Sequence, residues 1–559
     1  MKKTVLITLG IILCSFYSIA QSMIISAKPA AKSAEQYRKA EWDIDLRADF
    51  RNPYLQEEVL LDMELVTPSG KKLSLPCYYE SGQGGGISRW KARFAPQETG
   101  KYRYSFSLKQ NGRPAFATKE NTFSARATKD KGILHAHDSW SFRFDNGELF
   151  RGVGENICWE SRANDDSRFF KALHEQPKYN YEYMLRSLAS HGGNYFRTWI
   201  CSWNLPLDWK TGINNHRYHD SQEYFHPEAI QKMDRMVNLS DSLGLYIMLT
   251  LGAGTHDARQ GRYAVSSREF FTDEKAKAQY RNRLRFIVAR WGYSPAIGAW
   301  EFFNEIDNVQ FRDRNNPISA ASIAQWHTEM SQYLKSIDPY EHLVTTSISH
   351  RDLEGLNSIP DIDFNQKHIY KNNRALPTTI VKYSEEFGKP YVIGEYGYEY
   401  DWQKDFNQFA DSMDSDFKRG MWYGLFVPTP VLPLSWWWEF FDDRGTDAYI
   451  ARVRTVLDDM TRAGKGAFAH ASAVSSAKET EVYAVKCGNS TYVYVYNPTT
   501  SAVSANVSIV SPGTQAPQWR TYDCESGRFG TLKGSRSAEN AVAGIQLAPN
   551  TDMVLILDK

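Results

Sequence analysis

The sequence predicts a multidomain protein in which a central (β/α)₈ barrel, the TIM-barrel class, is flanked by two β-sandwiches. Three observations predict this fold. The chain has 559 residues, too many for one compact core. Apolar strands alternate with amphipathic helices over roughly three hundred residues, as in a (β/α)₈ barrel, and strands with turns dominate on both sides. We expect a signal peptide at 1–20, an N-terminal sandwich at 21–131, the barrel at 132–465 and a C-terminal sandwich at 466–559.

The first residues have the pattern of a secretory signal peptide. Two lysines precede an apolar run, and Ser18-Ile19-Ala20 precedes Gln21, which predicts cleavage after Ala20. The apolar run is too short and too early for a membrane span, and no other segment is a candidate. A lipidated Cys14 is the less favoured alternative, because the residues before it are large. We therefore expect an exported protein, periplasmic or extracellular.

The net charge argues against polyanionic partners. It is only +1, so the chain shows no excess of positive charge that would indicate binding to nucleic acid or to an acidic membrane surface. The aromatic content is high at 14%, with 16 Trp and 32 Tyr. Such rings present flat apolar faces with a polar handle, which suits either large cores or flat ligands such as sugar rings. Composition alone does not separate these two interpretations.

The N-terminal region from about 36 to 128 alternates apolar and polar residues at the period of a strand. The segment EVLLDMELVTPSGKKLSLPCYY shows this pattern, with a turn at Pro68-Ser69-Gly70, and RWKARFAP and TGKYRYSFSL repeat it. Asn146-Gly147 within FRFDNGELF predicts a tight hairpin, which we expect to close the floor of the barrel. These patterns predict a small β-sandwich followed by a hairpin.

The central region supplies eight strands with helices between most of them. The strands are FRGVGENI, GNYFRTWI, LYIMLTLG, IGAWEFFNEI, HLVTTSI, DFNQKHIY, PYVIGEY and LPLSWWWEF. Between strands three and four, apolar residues from Tyr280 to Trp291 fall on one helical face. Between strands two and three, Pro227 marks a helix start before Ile230, Met233 and Val237. Strands return after residue 465, in EVYAVKCG, STYVYVYNP, ANVSIV and DMVLILDK, and predict the second sandwich.

The cysteines and histidines show no metal-site spacing, and we expect neither metal nor cofactor. The pair His135 and His137 precedes the hairpin rather than ending a barrel strand, so we reject a metal-dependent barrel hydrolase. Cleavage after Ala20 leaves five cysteines. Cys158 could pair with Cys201, and Cys487 with Cys524, in an oxidising compartment. The alternative is that all five are small buried hydrophobic residues.

Polar residues interrupt the apolar strands at their C-terminal ends, where the active site of such a barrel lies. They are Glu155-Asn156, Arg197 and Trp199, Asn304-Glu305, His368 and Tyr370, Glu395, and Trp436 to Trp438 on strands one, two, four, six, seven and eight. Glu305 and Glu395 face each other across the expected mouth. Two carboxyl groups about 5–5.5 Å apart can cleave a glycosidic bond with retention of configuration. We expect Trp300, Phe302 and Phe303 to surround the acid with apolar groups, and Arg197 and Tyr370 to keep Glu395 ionised.

In this order the motifs resemble clan A glycoside hydrolases, the cellulase- and mannanase-like (β/α)₈ enzymes. The resemblance covers roughly residues 132–465 and rests on Asn-Glu ending strand four, GEYG on strand seven, His-x-Tyr on strand six and Asn194 to Arg197 on strand two. It implies Glu305 as the acid/base and Glu395 as the nucleophile. The first sandwich resembles the one that precedes cellulase-like barrels in gut and marine bacteria. The turn at Trp519, Asp523, Ser526 and Gly527 resembles that of the sandwich that follows them.

Further residues are expected to bind substrate. The full set is Arg197, Asn304, His368, Tyr370, Trp438, Asn156, Trp203 and His256. For Arg197 the alternative is a structural ion pair, for His368 a core histidine, and for Trp203 and Trp159 loop anchors. Trp438 is expected to contact substrate rather than Trp436, because it is nearer the mouth. The acidic residues Glu439 and Asp442 are candidates to bind a sugar hydroxyl. The sequence thus predicts a secreted, retaining β-glycoside hydrolase acting on a poly- or oligosaccharide; the alternative is a non-catalytic glycan-binding protein.

Overall fold

The computed structural model describes residues 22–252, 264–311, 314–315 and 317–558. The predicted signal peptide, with Cys14, lies outside the described residues, as does His256. Within the described ranges, none of the helices combines the length and apolar content that a bilayer crossing requires. The exact domain boundaries stay predictions.

The N-terminal region forms two sheets that share one apolar core. Their strands are β1 Met23–Pro29, β2 Ser33–Glu35, β3 Ala40–Arg47, β4 Val59–Val66, β5 Lys72–Pro76, β6 Tyr78–Gly82, β7 Ile87–Phe94, β8 Gly100–Gln110, β9 Arg113–Ala117 and β10 Asn121–Arg126. The first sheet has the order β1-β3-β7-β6; the second has β2-β10-β8-β4-β5, with β9 beside β8. Alternate residues such as Trp42, Ile44 and Leu46 are buried, which explains the period of two.

A three-stranded antiparallel sheet follows, made of β11 Leu134–Ala136, β12 Phe142–Phe144 and β13 Leu149–Phe150. Gly147 has the positive φ of 89° that its tight turn requires. Phe142, Phe144 and Phe150 are buried in one cluster with inward residues of the central strands, among them Tyr195 and Val392. The hairpin therefore covers one end of the central sheets, as predicted from the sequence.

The central strands are parallel. They are β14 Gly154–Asn156, β15 Tyr195–Trp199, β16 Tyr246–Thr250, β17 Ile297–Glu301, β18 Val344–Thr345, β19 Ser347–Ile348, β20 Asn365–Tyr370 and β21 Tyr391–Gly397. One sheet has the order β14-β15-β16-β17-β18 and the other β19-β20-β21. Only Thr346 separates β18 from β19. Isolated parallel bridges join Gly152 and Glu155 to residues 431 and 435, and Tyr396 to Ser435. These strands, with residues 431–435, are called the parallel ring below.

The eighth predicted strand is shorter than expected. Residues 431–435 make only isolated bridges, and a helix begins at Trp438. Trp437 has a positive φ of 73°, which ends the extended conformation, and its indole Nε1 donates to the Glu399 carbonyl at 2.6 Å. Three aromatic residues favour a strand by propensity, but tertiary contacts override that preference here. The strand assignment of residues 437–440 is therefore wrong.

Helices follow most strands of the parallel ring. They are α1 Lys171–His174, α2 Tyr181–Ser190, α3 Pro227–Leu243, α4 Ser267–Thr272, α5 Glu274–Trp291, α6 Asp307–Gln310, α7 Ala320–Ile337, α8 Ala375–Phe387, α9 Ala410–Leu425, α10 Trp438–Arg444 and α11 Ile450–Gly464. Pro227 begins α3 as predicted. The predicted apolar face of α5 is buried. A short 3₁₀ helix, Leu356–Ser358, lies between strands five and six.

The C-terminal region forms two antiparallel sheets around a further apolar core. Their strands are β22 Ala469–Ala471, β23 Ala473–Ser475, β24 Glu481–Cys487, β25 Ser490–Tyr496, β26 Val503–Val510, β27 Gln518–Asp523, β28 Arg528–Lys533, β29 Ser535–Ser537, β30 Asn540–Leu547 and β31 Asp552–Leu557. The sheet orders are β22-β24-β25-β31-β27-β28 and β23-β26-β30-β29.

Both flanking regions contact the central helices through buried or half-buried polar groups. Arg285 of α5 reaches Asp62 of β4 at 2.5 Å. On the other side, Arg419 of α9 lies 2.5 Å from both Asp552 and the Tyr494 hydroxyl. Because buried charges are stable only when paired, these contacts couple the regions to the parallel ring.

The cysteines do not form the bridges that the sequence allowed. Cys158 is a free thiol, so it is not bonded to Cys201, and Cys487 and Cys524 are also free. All five described cysteines are buried. This arrangement matches the alternative, in which cysteine acts as a small apolar residue.

Candidate active site

A cavity of about 550 Å³ lies at the C-terminal ends of the central strands. Its lining includes both predicted catalytic residues, Glu305 and Glu395, together with Asn304, His368 and Tyr370. The volume falls within the range of about 300–1,000 Å³ that is typical of small-molecule sites. The strand-end motifs therefore meet in one place.

Arg197 connects the acidic groups beneath this cavity. Its side chain is fully buried. Nη1 donates to Glu395 Oε1 at 2.6 Å, and Nη2 donates to Asn304 Oδ1 at 2.7 Å. Nε and Nη2 also donate to the two oxygens of Glu301, at 2.6 and 2.8 Å. Arg197 thus positions the Glu395 carboxylate from below, and its burial keeps it from lining the cavity itself.

Glu301 is a functional candidate that the sequence analysis missed. It is fully buried, and Thr250 Oγ1 also donates to it at 2.6 Å. Burial alone would raise the pKa of Glu301, but the charge and hydrogen bonds of Arg197 outweigh burial and lower it. A signal was present in the sequence: Glu301 lies two residues after Ala299, which faces the interior of the ring.

Glu395 reaches the cavity through a β-bulge. Lys367 pairs with Ile393, but the next residue, His368, pairs with Glu395, so Gly394 is the extra residue. A Cβ at Gly394 would lie 1.8 Å from Oε1 of the buried Gln366, so a larger residue in the bulge would require that side chain to shift. Without the bulge, simple alternation from the inward Val392 would send Glu395 away from the cavity.

The Glu395 carboxylate is held by three polar neighbours. Tyr370 OH donates to Oε2 at 2.7 Å, and Arg197 binds the other oxygen. Burial raises the pKa of Glu395, while the nearby charges of His368 and Arg197 and the Tyr370 hydroxyl oppose that rise. Burial and the adjacent Glu395 charge raise the pKa of Tyr370 well above its usual range, so its hydroxyl remains a donor.

Glu305 follows the end of β17 in a strained conformation. Its φ is 50°, which is uncommon for a residue with a side chain and is typical of functional sites. Its backbone N–H donates to Ser347 Oγ at 2.9 Å, and Asn308 Nδ2 donates to its Oε2 at 2.9 Å. The turn therefore aims the carboxylate into the cavity and fixes it there.

The apolar surround predicted for Glu305 is not formed. Trp300, Phe302 and Phe303 are buried and pack away from the cavity, the two phenylalanines against Trp326. The Glu305 side chain itself is 24% exposed. The prediction was wrong for two reasons. Trp300 points outward because it alternates with the inward Ala299, and the chain leaves the strand after Glu301, which carries Phe302 and Phe303 into the outer core.

His368 lies between the two carboxylates. Its Nδ1 is 3.0 Å from Glu305 Oε1 and 3.4 Å from Glu395 Oε2. One atom of each of these three residues lies within 4.8 Å of the other two. His368 is buried, but these contacts distinguish it from a core histidine. The two carboxyl groups are therefore close enough to act on one bond.

Several predicted binding residues lie outside the cavity lining. Asn156 is fully buried; its Nδ2 donates to the carbonyls of Gly394, Leu434 and Ser435, which ties the ring together. Trp203 packs edge-on against Trp159, as a loop anchor would. Asn156 therefore stabilises the ring, which corrects its assignment as a substrate contact, and the contact of Trp203 favours the loop-anchor alternative.

The choice of Trp438 over Trp436 is also corrected. Trp436 lines the cavity, as does Trp199. Trp438 begins α10 and packs against Trp159, with ring centroids 4.9 Å apart. Because Trp437 turns the chain, the alternation assumed for a strand does not apply here.

The other acidic candidates do not line the cavity. Asp442 accepts hydrogen bonds from Lys178 and Tyr183 on the protein surface. Glu439 is buried, and burial raises its pKa to about 7. Glu155 is buried as well, and burial raises its pKa well above the usual range. The rejected His135 pairs with Asp145 in the hairpin sheet, at 2.8 Å.

Comparisons with known proteins agree with this geometry. The family model described as cellulase (glycosyl hydrolase family 5) matches residues 164–422, and a domain of unknown function (DUF5060) matches residues 33–109. A mannan endo-1,4-β-mannosidase A of Podospora anserina is 25% identical over 226 residues, which cover 35% of this chain and 58% of that protein. A mannan endo-1,4-β-mannosidase F of Aspergillus fumigatus is 27% identical over 216 residues, covering 32% of this chain and 48% of that protein. The chain thus spans about half the length of these curated relatives.

One solved structure resembles nearly the whole chain. It is a candidate glycoside hydrolase from Bacteroides vulgatus, with a TM-score of 0.65 and 15% identity, covering 94% of this chain and all of that one. At this identity the likeness concerns the fold alone. The family-model match over residues 164–422 and the mannosidase relatives confirm the resemblance to clan A glycoside hydrolases that the strand-end motifs first indicated.

Proposed function

We propose that this chain is an exported, retaining β-glycoside hydrolase, with Glu395 as nucleophile and Glu305 as acid/base. The parallel ring would be the (β/α)₈ barrel that carries this chemistry, and the paired sheets on either side would be the two β-sandwiches. The observation that carries the proposal is that one carboxylate oxygen of Glu305 and one of Glu395 lie within 4.8 Å of each other, both beside His368. Inverting enzymes need about 6.5–9.5 Å between carboxyl groups to admit a water.

The reaction follows from the partners of each carboxylate. Ionised Glu395 attacks the anomeric carbon, while protonated Glu305 gives its proton to the leaving oxygen, so the glycosidic bond breaks as the ester bond forms. Glu305 then takes a proton from water, the water oxygen attacks the same carbon, and Glu395 leaves as a carboxylate. Arg197 and Tyr370 bind separate oxygens of Glu395, which orients it in both steps.

The substrate class is a β-linked poly- or oligosaccharide, and β-1,4-mannan is the first to test. This choice rests on the curated relatives, which are named as mannan endo-1,4-β-mannosidases. The cavity supports a carbohydrate because it combines aromatic rings, such as Trp199 and Trp436, with polar groups, such as His350 and Asn372.

The roles can be tested by substitution. Glu305→Gln and Glu395→Gln should each lose nearly all turnover of mannan or another accepted polysaccharide, since such groups contribute orders of magnitude. Glu354→Gln is a matched control, because Glu354 is exposed and does not line the cavity. Near wild-type turnover in either catalytic variant would contradict the assignment.

The second candidate function is glycan binding without catalysis. The presence of both carboxylates, Glu395 with Arg197 as a donor and Glu305 with Asn308 as a donor, favours the enzyme. Release of soluble sugars from a panel of polysaccharides, followed by mass spectrometry, would separate the two. Binding without release would support the alternative.

A further inference from the structure

The segment after β21 exposes three large aromatic side chains within five residues. Tyr398, Tyr400 and Trp402 are 41%, 57% and 39% exposed. Tyr400 and Trp402 line the same cavity as Glu305 and Glu395. Clustered apolar surface of this kind marks an interaction site, whereas single exposed apolar residues are ordinary.

Glu399 anchors this segment from beneath. Its Oε1 accepts hydrogen bonds from the backbone N–H groups of Tyr400 and Asp401, at 3.0 and 3.1 Å. Two lysines flank the same carboxylate, Lys371 at 2.9 Å and Lys404 at 2.5 Å. Burial opposes ionisation of Glu399, but these bonds outweigh it and lower its pKa to about 2. The carboxylate is therefore ionised at neutral pH, and the loop backbone is fixed.

The Tyr400 ring is positioned on two sides. The Lys371 ammonium lies 4.3 Å from its centre, and the Tyr370 ring meets it edge-on at 6.0 Å. Tyr370 is also the residue that donates to the proposed nucleophile. Tyr370 thus lies between Tyr400 and Glu395, and more than half of the surface of Tyr400 is exposed.

Building on the proposed function, we propose that Tyr400 and Trp402 form a carbohydrate-binding platform beside the catalytic pair. The C–H face of a pyranose ring would stack on these rings, one or more sugar units away from the bond that is cut. Aromatic side chains suit this role because they offer a large rigid apolar face at low conformational cost. The platform would make the enzyme prefer chains over short glycosides.

Tyr398 provides a matched control. It lies on the same segment and is exposed to a similar extent, but it packs on Phe409, with centroids 5.5 Å apart. It does not line the cavity. A general effect of losing an aromatic ring from this loop would therefore appear in Tyr398→Ala, while loss of a platform would not.

The test measures binding and turnover separately. Calorimetry with mannohexaose, cellohexaose and the corresponding disaccharides is carried out on the full chain with Glu395→Gln, so that the ligand stays intact. Adding Tyr400→Ala or Trp402→Ala should weaken binding of the preferred hexasaccharide about tenfold, as truncating a buried aromatic contact does, and more than it weakens the disaccharide. Tyr398→Ala should leave binding unchanged. Tyr400→Phe and Trp402→Phe should stay close to the parent affinity, because the ring is kept.

Each result decides between the two proposals. Unchanged affinity in both alanine variants, or an equal loss of affinity in Tyr398→Ala, would overturn the platform. The proposed function would still stand if the wild-type chain turns over the oligosaccharide. Hexasaccharide binding that depends on the platform, without turnover by the wild-type chain, would refute the proposed function and keep the platform. Failure of the parent to bind any of these oligosaccharides would overturn the platform and favour a protein partner for the exposed rings.

Discussion

Replacing Tyr370 by Phe tests how the cavity controls Glu395. The substitution removes one hydroxyl, which donates to Glu395 Oε2 at 2.7 Å, and keeps the ring that contacts Tyr400. A hydrogen bond to a charged group contributes about 1.5–3 kcal/mol. Because the donor favours the ionised carboxylate, its loss should raise the pKa of Glu395 by about one to two units, at about 1.36 kcal/mol per unit.

The expected result is a shift of the acidic limb of the pH–rate profile. The acidic limb of kcat/KM reports the nucleophile of the free enzyme, so it should move to higher pH in Tyr370→Phe. The loss of activity should be largest in acid and should shrink as the pH rises, because Glu395 is then ionised in both proteins. Tyr492→Phe is the control: it removes a similar hydroxyl–carboxylate bond, from Tyr492 of β25 to Asp459 of α11. An unshifted limb, or one that moves to lower pH, would refute this account of Glu395.

Three further predictions concern stability. Arg197→Met should lower the free energy of unfolding by about 3–5 kcal/mol, because Glu301 and Glu395 would lose the buried charge that pairs with them. An unchanged free energy in denaturant unfolding would contradict this. Deleting residues 467–559 should give insoluble or poorly folded protein, because Arg419 would lose its contacts with Asp552 and Tyr494. A soluble truncation with full activity on oligosaccharides would instead show that the C-terminal region is a separate binding module. Adding dithiothreitol should leave the melting temperature unchanged, because Cys158, Cys487 and Cys524 are free thiols; a clear decrease would indicate a disulfide.

The expectation that polar residues at the C-terminal ends of the strands lie close together depends only on strand order and direction. Of the residues that it indicates, Glu305, Glu395, His368 and Tyr370 line the cavity, and Arg197 lies beneath it and binds Glu395. The expectation does not describe how each side chain is aimed. A bulge at Gly394 and a positive φ at Glu305 do that, and both are local departures from strand geometry.

What the sequence missed depends on contacts between distant segments. Glu301 was overlooked because it stands in an apolar run and its partner lies more than a hundred residues away. Trp438 is expected nearer the mouth only if the strand continues through it, but Trp437 turns the chain and a helix begins at Trp438. Tyr400 and Trp402 lie in a loop, where no periodic rule indicates which rings face a cavity. The cysteine pairs failed for a similar reason, since spacing along the chain does not give distance in space.

Trapping the covalent intermediate tests the central claim most directly. A fluorinated glycosyl donor of the preferred sugar, in which fluorine at C2 slows release of the enzyme-bound sugar, is incubated with the enzyme, and the labelled peptide is sequenced by mass spectrometry. The double-displacement mechanism predicts one added sugar per chain, bonded to Glu395. A label on Glu305 or another residue would contradict the assigned roles. Turnover of the parent glycoside with an α-configured first product and no label would show an inverting enzyme.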